Sequence, residues 1–407
     1  MRIWGLLIFL LILVLLKVYL IRGVWQASDH RAITWTYGII SLGSLLLGFI
    51  TFRLAFSGEQ TNMLLWQNII TAFMVSVIVC ELIMAVFFLI DDIAWAVQAI
   101  AEKTRLLENS TASGRRRWLK TVGLGITAIP FTAYLYGITK GKYDYKVFEK
   151  TLSFPDLPAA FDGFRIAQFS DFHAGSFDQA SAVRAGLQKL QAQGADLILF
   201  TGDLVNDDPE EVLPYKDFLK ELQAPFGKYA VLGNHDYPRN EDNTKTPDGR
   251  SAKVSQVIQH HQDADFQLLN NSNVKIEKAS DSIHLIGVEN WGTRFVKHGD
   301  LNKATEGCPD DAFSILLSHD PSHWEEEALP FPKKFHLTLA GHTHGLQMGI
   351  ELPNFKWSPI KYVYPRWAGL YQEQDQYLYV NRGFGFIGFA GRVGIRPEIS
   401  VFTLRKG

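Results

Sequence analysis

The stretch that decides the fold is a short apolar strand ending in polar residues: Phe335-His336-Leu337-Thr338-Leu339-Ala340-Gly341-His342-Thr343-His344. Four other apolar runs end in the same way, at Asp171-Phe172-His173, Gly202-Asp203, Gly233-Asn234-His235-Asp236 and His319. Near-continuous apolar runs indicate strands that are buried on both faces of a sheet. Polar groups at the carboxyl ends of such strands form the sites of α/β proteins. The sequence therefore predicts an α/β domain with one site at its strand ends.

The chemistry of these strand ends favours a metal site. Asp171 and His173 are separated by one residue, as are His342 and His344, so both members of each pair can project from one bend. Carboxylates, an amide oxygen and imidazoles, without a thiolate, suit Mn, Fe, Zn or similar divalent metals. Each pair alone is a weak signal, whereas five clusters in this order, each after a strand, are specific.

The order Asp-x-His, Gly-Asp, Gly-Asn-His-Asp, His and Gly-His-x-His resembles the calcineurin-like metallophosphoesterase superfamily, from about residue 156 to the C-terminus. The resemblance implies a four-layer α/β/β/α sandwich that holds two divalent metal ions at its strand ends. The C-terminal part is similar to the membrane-associated branch, which includes a twin-arginine-exported phosphoesterase of Bacillus and the pyrophosphohydrolases of the lipid A pathway.

The resemblance also implies a role for each matching residue. A bridging carboxylate between the two metals is expected at Asp203, because a carboxylate has two oxygens and can span two cations. His235 is implied as the general acid, with Asp236 orienting its ring, in hydrolysis by a metal-bridging hydroxide. The remaining ligands are implied to be Asp171, His173 and His344 for one metal, and Asn234, His319 and His342 for the other.

The first 140 residues have a different character. Apolar stretches of 18 residues or more predict four transmembrane helices, with Lys17 snorkelling to the interface and Glu81 in a structural role. We therefore expect a four-span transmembrane domain over residues 1–140 and a catalytic domain over residues 141–407. The four predicted spans are Ile3–Ile21, Trp35–Phe52, Ile69–Ile90 and Thr121–Ile138.

Basic residues near the spans indicate an orientation. The densest cluster precedes the fourth span, and the positive-inside rule places it in the cytoplasm, so the catalytic domain is expected on the outer face of the cell membrane. Lys140, Lys142 and Lys146 argue for the opposite orientation. Arg115-Arg116 is either an internal export signal of the twin-arginine type or a plain basic stop before a helix. The cluster comprises Lys103, Arg105, Arg115, Arg116, Arg117 and Lys120.

Composition excludes several classes of protein. The 407 residues carry 40 Lys+Arg against 42 Asp+Glu, so binding of nucleic acid by bulk positive charge is not expected. The two cysteines, Cys80 and Cys308, exclude a disulfide scaffold and a cysteine-based zinc cluster. No protein partner can be inferred from the sequence.

The segment 346–371 suggests what the enzyme acts on. Aromatic residues mixed with cations suit a membrane interface, and the segment follows His344 directly. Trp357 and Trp367 are therefore predicted to meet lipid headgroups, and the expected substrate is a phosphoester or pyrophosphate that is lipid-linked or at the membrane surface. The alternatives are an ordinary packed loop with a soluble nucleotide or phosphosugar as substrate, and a non-catalytic binding module. Arg392 and Arg396 are candidates for binding phosphate, with a surface ion pair as the alternative.

Overall fold

The structure, a computed structural model, describes residues 2–28, 30–55, 64–104, 112–238 and 251–407. The chain divides into two compact units, Met1–Thr139 and Lys140–Gly407. The described part of the first unit consists of helices: α1 (Arg2–Ala27), α2 (Arg31–Ala55), α3 (Leu64–Lys103) and α4 (Ala112–Thr139).

Three stretches of these helices are long and apolar enough to cross a membrane: Arg31–Ile50, Ile69–Lys103 and Arg117–Thr139. They overlap the second, third and fourth predicted spans. Much of the first predicted span, Ile3–Ile21, lies outside the described side chains, although its backbone is helical within α1. That span therefore stays a prediction.

The prediction that Lys17 snorkels to the interface is wrong. The Lys17 side chain is fully buried, and its Nζ lies 2.8 Å from Glu81 Oε2. Ser41 donates a hydrogen bond of 2.6 Å to Glu81 Oε1, and Ser44 accepts one of 3.1 Å from Lys17. A buried charge is costly in a low-dielectric interior unless it is paired and hydrogen-bonded, and this cluster satisfies both conditions.

We predict that Glu81→Leu lowers the free energy of unfolding of the first unit by about 3–5 kcal/mol, because it leaves a buried ammonium group without its counter-charge. The double variant Lys17→Met/Glu81→Leu removes both charges and should recover most of that loss. Unfolding of the full chain in mixed micelles with increasing dodecyl sulfate measures the difference. A double variant that is as unstable as Glu81→Leu would show that the ion pair itself stabilises the helices.

The second unit is built on two six-stranded sheets. The strand order of the first sheet is β1 (Lys146–Phe154), β14 (Glu398–Lys406), β2 (Arg165–Phe169), β3 (Leu197–Phe200), β4 (Lys228–Ala230) and β5 (Gln267–Leu268). The order of the second is β12 (Gly369–Glu373), β13 (Gln376–Val380), β9 (Leu337–Ala340), β8 (Ser314–Leu317), β7 (Asp281–Gly287) and β6 (Ser272–Lys278). A separate hairpin consists of β10 (Ile350–Leu352) and β11 (Phe355–Trp357).

The centre of each sheet is parallel. Strands β2 to β5 run parallel in the first sheet, and β7, β8, β9 and β13 run parallel in the second. Every residue of β3, β8 and β9 is buried, which confirms the two-sided burial that their apolar sequences predict. All carboxyl ends of such neighbouring parallel strands meet at one edge of their sheet.

The two sheets pack face to face. One buried cluster joins Leu197 and Leu199 of the first sheet to Leu285, Ile315 and Leu337 of the second. Helices α5 (Ala180–Gln191), α6 (Lys216–Lys220), α7 (Ala252–Asp263) and α8 (Leu301–Ala304) complete the unit. A mixed α/β architecture, as predicted, thus brings the strand ends of both sheets to a common edge.

Candidate metal centre

Each predicted ligand follows a parallel strand within four residues. Because a strand ends where its last ladder hydrogen bond is made, the next residues are free to turn their side chains toward the edge of the sheet. The ligands are Asp171 and His173 after β2, Asp203 after β3, Asn234 after β4, His319 after β8, and His342 and His344 after β9.

The backbone of this site adopts an uncommon conformation. A positive φ is unfavourable for residues other than glycine and persists only where the surrounding structure enforces it. Residues in such conformations cluster at active sites and ligand-binding sites. The five ligands with positive φ are Asp171 (53°), His173 (49°), Asp203 (62°), His342 (70°) and His344 (52°).

Two glycines allow the strand ends to approach each other. A Cβ atom on Gly341 would lie 1.9 Å from Ser170 Oγ and 2.4 Å from Asp171 Oδ2. A Cβ atom on Gly233 would lie 2.3 Å from Asp203 Oδ1. All three distances are far below van der Waals contact, so only glycine fits these positions.

The first group of donor atoms comes from Asp171, His173 and His344, all three buried. His344 Nε2 lies 3.2 Å from Asp171 Oδ1 and 3.0 Å from His173 Nε2. The three ligand atoms lie within 4.8 Å of one another, which is close enough for all three to bind one cation.

The second group comes from Asp203, His319 and His342, whose ligand atoms also lie within 4.8 Å of one another. His319 Nε2 lies 3.2 Å from Asp203 Oδ2 and 3.2 Å from His342 Nδ1. The amide oxygen of Asn234 lies 3.2 Å from the same His319 nitrogen. Asn234 is therefore close enough to contribute a fourth, uncharged oxygen to this group.

Asp203 lies between the two groups. Its Oδ2 is 3.2 Å from His319 Nε2 in the second group and 3.6 Å from His173 Nε2 in the first. A carboxylate in this position can face two cations at once. This is the geometry expected of a bridging ligand.

Charge interactions keep the carboxylates of the centre ionised. Burial alone would raise the pKa of Asp171, but the charges of His344 and His319 hold that pKa well below its usual range. Burial would likewise raise the pKa of Asp203, but the charges of His319 and His235 hold that pKa well below its usual value. Ionised carboxylates are the form that binds metal.

Two imidazoles of the centre have pKa values shifted in opposite directions. Burial lowers the pKa of His173 to about 3, so this ring is neutral and can act as a ligand. Burial would also lower the pKa of His319, but the negative charge of Asp203 raises it to about 10. A cation bound at His319 Nε2 would take the place of the proton there, because a metal and a proton compete for the same lone pair.

The donor set fits a pair of divalent cations. It offers two carboxylates, one amide oxygen and four imidazoles, with seven side chains directed at one small region. The Nδ1 atom of His173 is buried without a hydrogen-bond partner, so this ring is not held by hydrogen bonding at both nitrogens. Oxygen and imidazole donors of this kind suit Mn, Fe or Zn.

The interpretation that Asp236 orients the His235 ring is wrong. The Asp236 carboxylate accepts hydrogen bonds from the backbone N–H groups of Gly233, Asp203 and Leu204, at 2.9, 3.0 and 2.9 Å. The Nδ1 atom of His235 lies instead 2.9 Å from the carbonyl oxygen of Asn206. Asp236 thus joins the loops after β3 and β4.

Sequence reasoning missed the groups behind the metal-facing imidazoles. His319 Nδ1 lies 2.7 Å from the carbonyl oxygen of Thr201, and His342 Nε2 lies 2.9 Å from the hydroxyl of Tyr364. Tyr364 in turn donates to Asp320 Oδ2 at 3.4 Å. Such partners fix the tautomer and orientation of a ligating histidine. No local pattern distinguishes Tyr364 from the other aromatic residues of its segment.

Two further expectations fail because the side chain is buried, and a third fails because the side chain is paired with an acidic residue. Arg392 is buried and donates to the carbonyl oxygens of Arg382, Gly383 and Gly385, so it does not present its guanidinium to a substrate. Arg396 pairs with Asp144, which is the surface ion pair that we considered as its alternative. Trp367 is only 3% exposed and packs in a small apolar cluster, so it cannot meet lipid headgroups.

Two facing sheets with acidic and imidazole side chains at their strand ends define a metal-binding α/β protein, and comparison with known proteins gives the family and its reaction. A family model described as calcineurin-like phosphoesterase matches residues 164–346. A second model, described as the probable transmembrane domain of calcineurin-like phosphoesterases, matches residues 1–142.

Curated relatives agree with these models. The chain is 31% identical to the Bacillus subtilis metallophosphoesterase YkuE, over 72% of this chain and 98% of the relative. It is 27% identical to a zebrafish (Danio rerio) transmembrane protein with a metallophosphoesterase domain, over 75% of this chain and 67% of the relative. The UDP-2,3-diacylglucosamine pyrophosphatase LpxG of Chlamydia trachomatis is 28% identical, over 56% of this chain and 81% of the relative.

The chain belongs to the calcineurin-like metallophosphoesterase family. It is a metal-dependent phosphoric ester hydrolase, as the order of its motifs predicts, and it has an N-terminal transmembrane domain, as its apolar stretches predict.

We predict that Gly341→Ala loses most of the bound metal, because the added methyl group displaces Ser170 and Asp171 from their positions. Elemental analysis of the purified full chain measures the metal content. Gly194→Ala is the matched control, since Gly194 has a φ of +58° but no neighbour within 4 Å of an added Cβ. The control should lose about 1 kcal/mol of stability and keep its metal. Full metal content in Gly341→Ala would contradict the close-approach argument.

Proposed function

We propose that this protein hydrolyses a phosphoester or pyrophosphate at the membrane surface with two divalent metal ions that share Asp203. The observation that supports this proposal is the position of Asp203 Oδ2, within 3.6 Å of an imidazole nitrogen from each donor group. A single-metal site has no need of a second set of three donors beside the first.

The seven side chains divide between the two ions. When bound, such ions lower the pKa of a water molecule and neutralise charge on the phosphoryl oxygens. The protein holds the donors rigid, because their rings are fixed from behind by Thr201, Tyr364 and the buried strands. Asp171, His173 and His344 would hold one ion, Asn234, His319 and His342 would hold the other, and Asp203 would contact both.

His235 is proposed as the general acid. Its ring is only half-buried, and its centroid lies 5.0 Å from that of His173. Because the Asn206 carbonyl oxygen can only accept, Nδ1 of His235 carries a proton, and Nε2 is left to exchange a proton with the leaving oxygen. The backbone N–H of His235 donates to Asp203 Oδ1 at 2.8 Å, which fixes the residue against the centre.

The membrane domain supports a substrate that is itself held at the bilayer. The family model over residues 1–142 describes a transmembrane domain, and the relative LpxG is named as the pyrophosphatase of a diacylated sugar nucleotide. An enzyme fixed in the membrane gains most from a substrate confined to the same surface. This proposal includes four membrane spans and a four-layer sandwich. It also places the catalytic domain on the outer face of the membrane, because the positive-inside rule assigns the basic cluster to the cytoplasm.

The test of the proposed activity is hydrolysis of bis-p-nitrophenyl phosphate by the purified full chain. We expect turnover with added Mn²⁺, loss of at least about 90% of it after chelation, and recovery when the metal is returned, because the ions supply the nucleophile. Elemental analysis should find two ions per chain. A loaded, folded protein that hydrolyses neither this diester nor a pyrophosphate would favour the non-catalytic binding module instead.

The roles of two residues can be separated by their metal content. Asp203→Asn should lose tight binding of both ions and nearly all activity, because the neutral amide no longer offsets two neighbouring positive charges. His235→Ala should keep both ions and lose turnover by about 10²–10⁴-fold, the usual contribution of a general acid. Two ions at full occupancy in Asp203→Asn would refute the bridge. A metal-free His235→Ala would show instead that His235 is a ligand.

A further inference from the structure

The hairpin of β10 and β11 presents its apolar side chains outward. Leu352 and Phe355 are opposite each other in the register, and both are more than half exposed. Ile350, two residues before Leu352, shares their face because side chains alternate along a strand, and it is also exposed. This face of the hairpin is apolar although it meets solvent.

The charged groups of the same hairpin are bonded to the rest of the unit, although the Lys356 side chain is itself exposed. Glu351 and Lys356 form the intervening pair. Glu351 accepts a hydrogen bond of 2.5 Å from Arg382, and Lys356 donates to the carbonyl oxygen of Ala368. A soluble hairpin shows the reverse arrangement, with polar residues toward water and apolar residues toward the core. The inversion indicates that the outward face is covered by something apolar.

Other exposed apolar residues lie beside the metal centre. Phe295 is 40% exposed, and its ring centroid lies 5.0 Å from that of His342. Tyr362, at 75% the most exposed of these residues, is two residues from the Tyr364 hydroxyl that contacts His342. We name as the apolar rim the side chains of Phe295, Val296, Ile350, Leu352, Phe355 and Tyr362.

The apolar rim is concentrated in the sequence. In the described part of the second unit, the exposed large apolar residues fall in segments 295–296 and 346–363, with one exception, Leu213. Exposed apolar residues that are grouped in this way indicate an interaction site, whereas single exposed residues are ordinary. Leu213 is such a single residue and serves below as a control.

Exposed cations accompany the apolar rim. Arg294 and Lys297 flank Phe295 and Val296, and Lys361 precedes Tyr362; all three are exposed. Apolar side chains bordered by basic ones match the boundary between acyl chains and anionic headgroups. The same polypeptide carries a transmembrane domain, so a bilayer is always within reach of this unit.

We propose that the apolar rim inserts into the bilayer that holds the N-terminal helices and thereby brings lipid phosphates to the metal centre. This inference rests on the proposed function for its catalytic consequence, but the insertion itself does not require activity. The apolar residues would lie at the level of the acyl chains, with Arg294, Lys297 and Lys361 among the headgroups. Phe295 and Tyr364 both contact His342, which is itself one of the proposed ligands, so this surface adjoins the metal centre.

Lipid quenching of a fluorophore tests the insertion directly. Leu352→Cys, Phe355→Cys and the control Leu213→Cys are labelled with NBD in a full chain that carries Cys80→Ala and Cys308→Ser. The labelled proteins are reconstituted in vesicles of phosphatidylcholine and phosphatidylglycerol with doxyl-labelled lipids. We expect strong quenching at positions 352 and 355 and little at 213. Equally weak quenching at all three positions overturns the proposal. Shielding from iodide at 352 without doxyl quenching overturns it in favour of a protein partner.

Hydrolysis distinguishes failure of this inference from failure of the proposed function. We measure the ratio of the rate on a lipid phosphate in vesicles to the rate on bis-p-nitrophenyl phosphate. In the double variant Leu352→Ser/Phe355→Ser this ratio should fall about tenfold, because two apolar anchors are lost. Leu213→Ser should keep the wild-type ratio. An unchanged ratio in the double variant contradicts the proposal that the apolar rim brings lipid phosphates to the metal centre. A wild-type chain that hydrolyses neither substrate refutes the proposed function, whatever the quenching shows.

Discussion

The structure of the second unit depends on the convergence of seven polar side chains in a space a few ångströms across. Two buried carboxylates and four imidazoles repel one another or lose solvation there unless their charges are matched. The sheets impose this arrangement, because the ligands lie on strands that are fixed by a shared apolar core. The strained backbone at Asp171 and Asp203 and the glycines at 233 and 341 follow from the same requirement. The free energy gained by burying the apolar core offsets the cost of assembling these polar side chains, which would not come together by themselves.

Pairing of buried charge recurs in both units. In the first unit Lys17 and Glu81 satisfy each other in an apolar surrounding. In the second, Arg382 is held by Glu398 at 2.6 Å and by Glu351 at 2.5 Å. The difference lies in the metal centre, where the carboxylates of Asp171 and Asp203 face imidazoles that bind a cation only when unprotonated. A structural pair is complete in the protein alone, whereas the metal centre is arranged for an additional positive charge.

The apolar rim and the transmembrane domain both favour the substrate that we propose, one held at the bilayer. A soluble phosphoester requires neither an exposed apolar hairpin nor an anchor. The hairpin keeps its orientation because Glu351 and Lys356 hold it to the domain from behind, and this leaves Leu352 and Phe355 free to meet lipid. Polar contacts that ordinarily face water are used here to fix an apolar face outward.

The amino-acid sequence was sufficient to predict the features that depend on local pattern. Runs such as 313–318 and 335–340 predicted buried strands, and the polar residues after them predicted both the site and the family, because periodicity and spacing are local properties. The apolar stretches predicted membrane helices for the same reason. The ligand roles stay predictions, although the structure brings all seven side chains together.

The directions and partners of individual side chains became known from the three-dimensional fold. Lys17 finds a counter-charge 64 positions away, and the partner of His235 is Asn206 rather than its neighbour Asp236. Trp367 is buried while Phe355 is exposed, although both are aromatic residues of one segment. These outcomes depend on contacts between residues distant in the chain, which no local period encodes, whereas a strand or a membrane span is specified by its own residues.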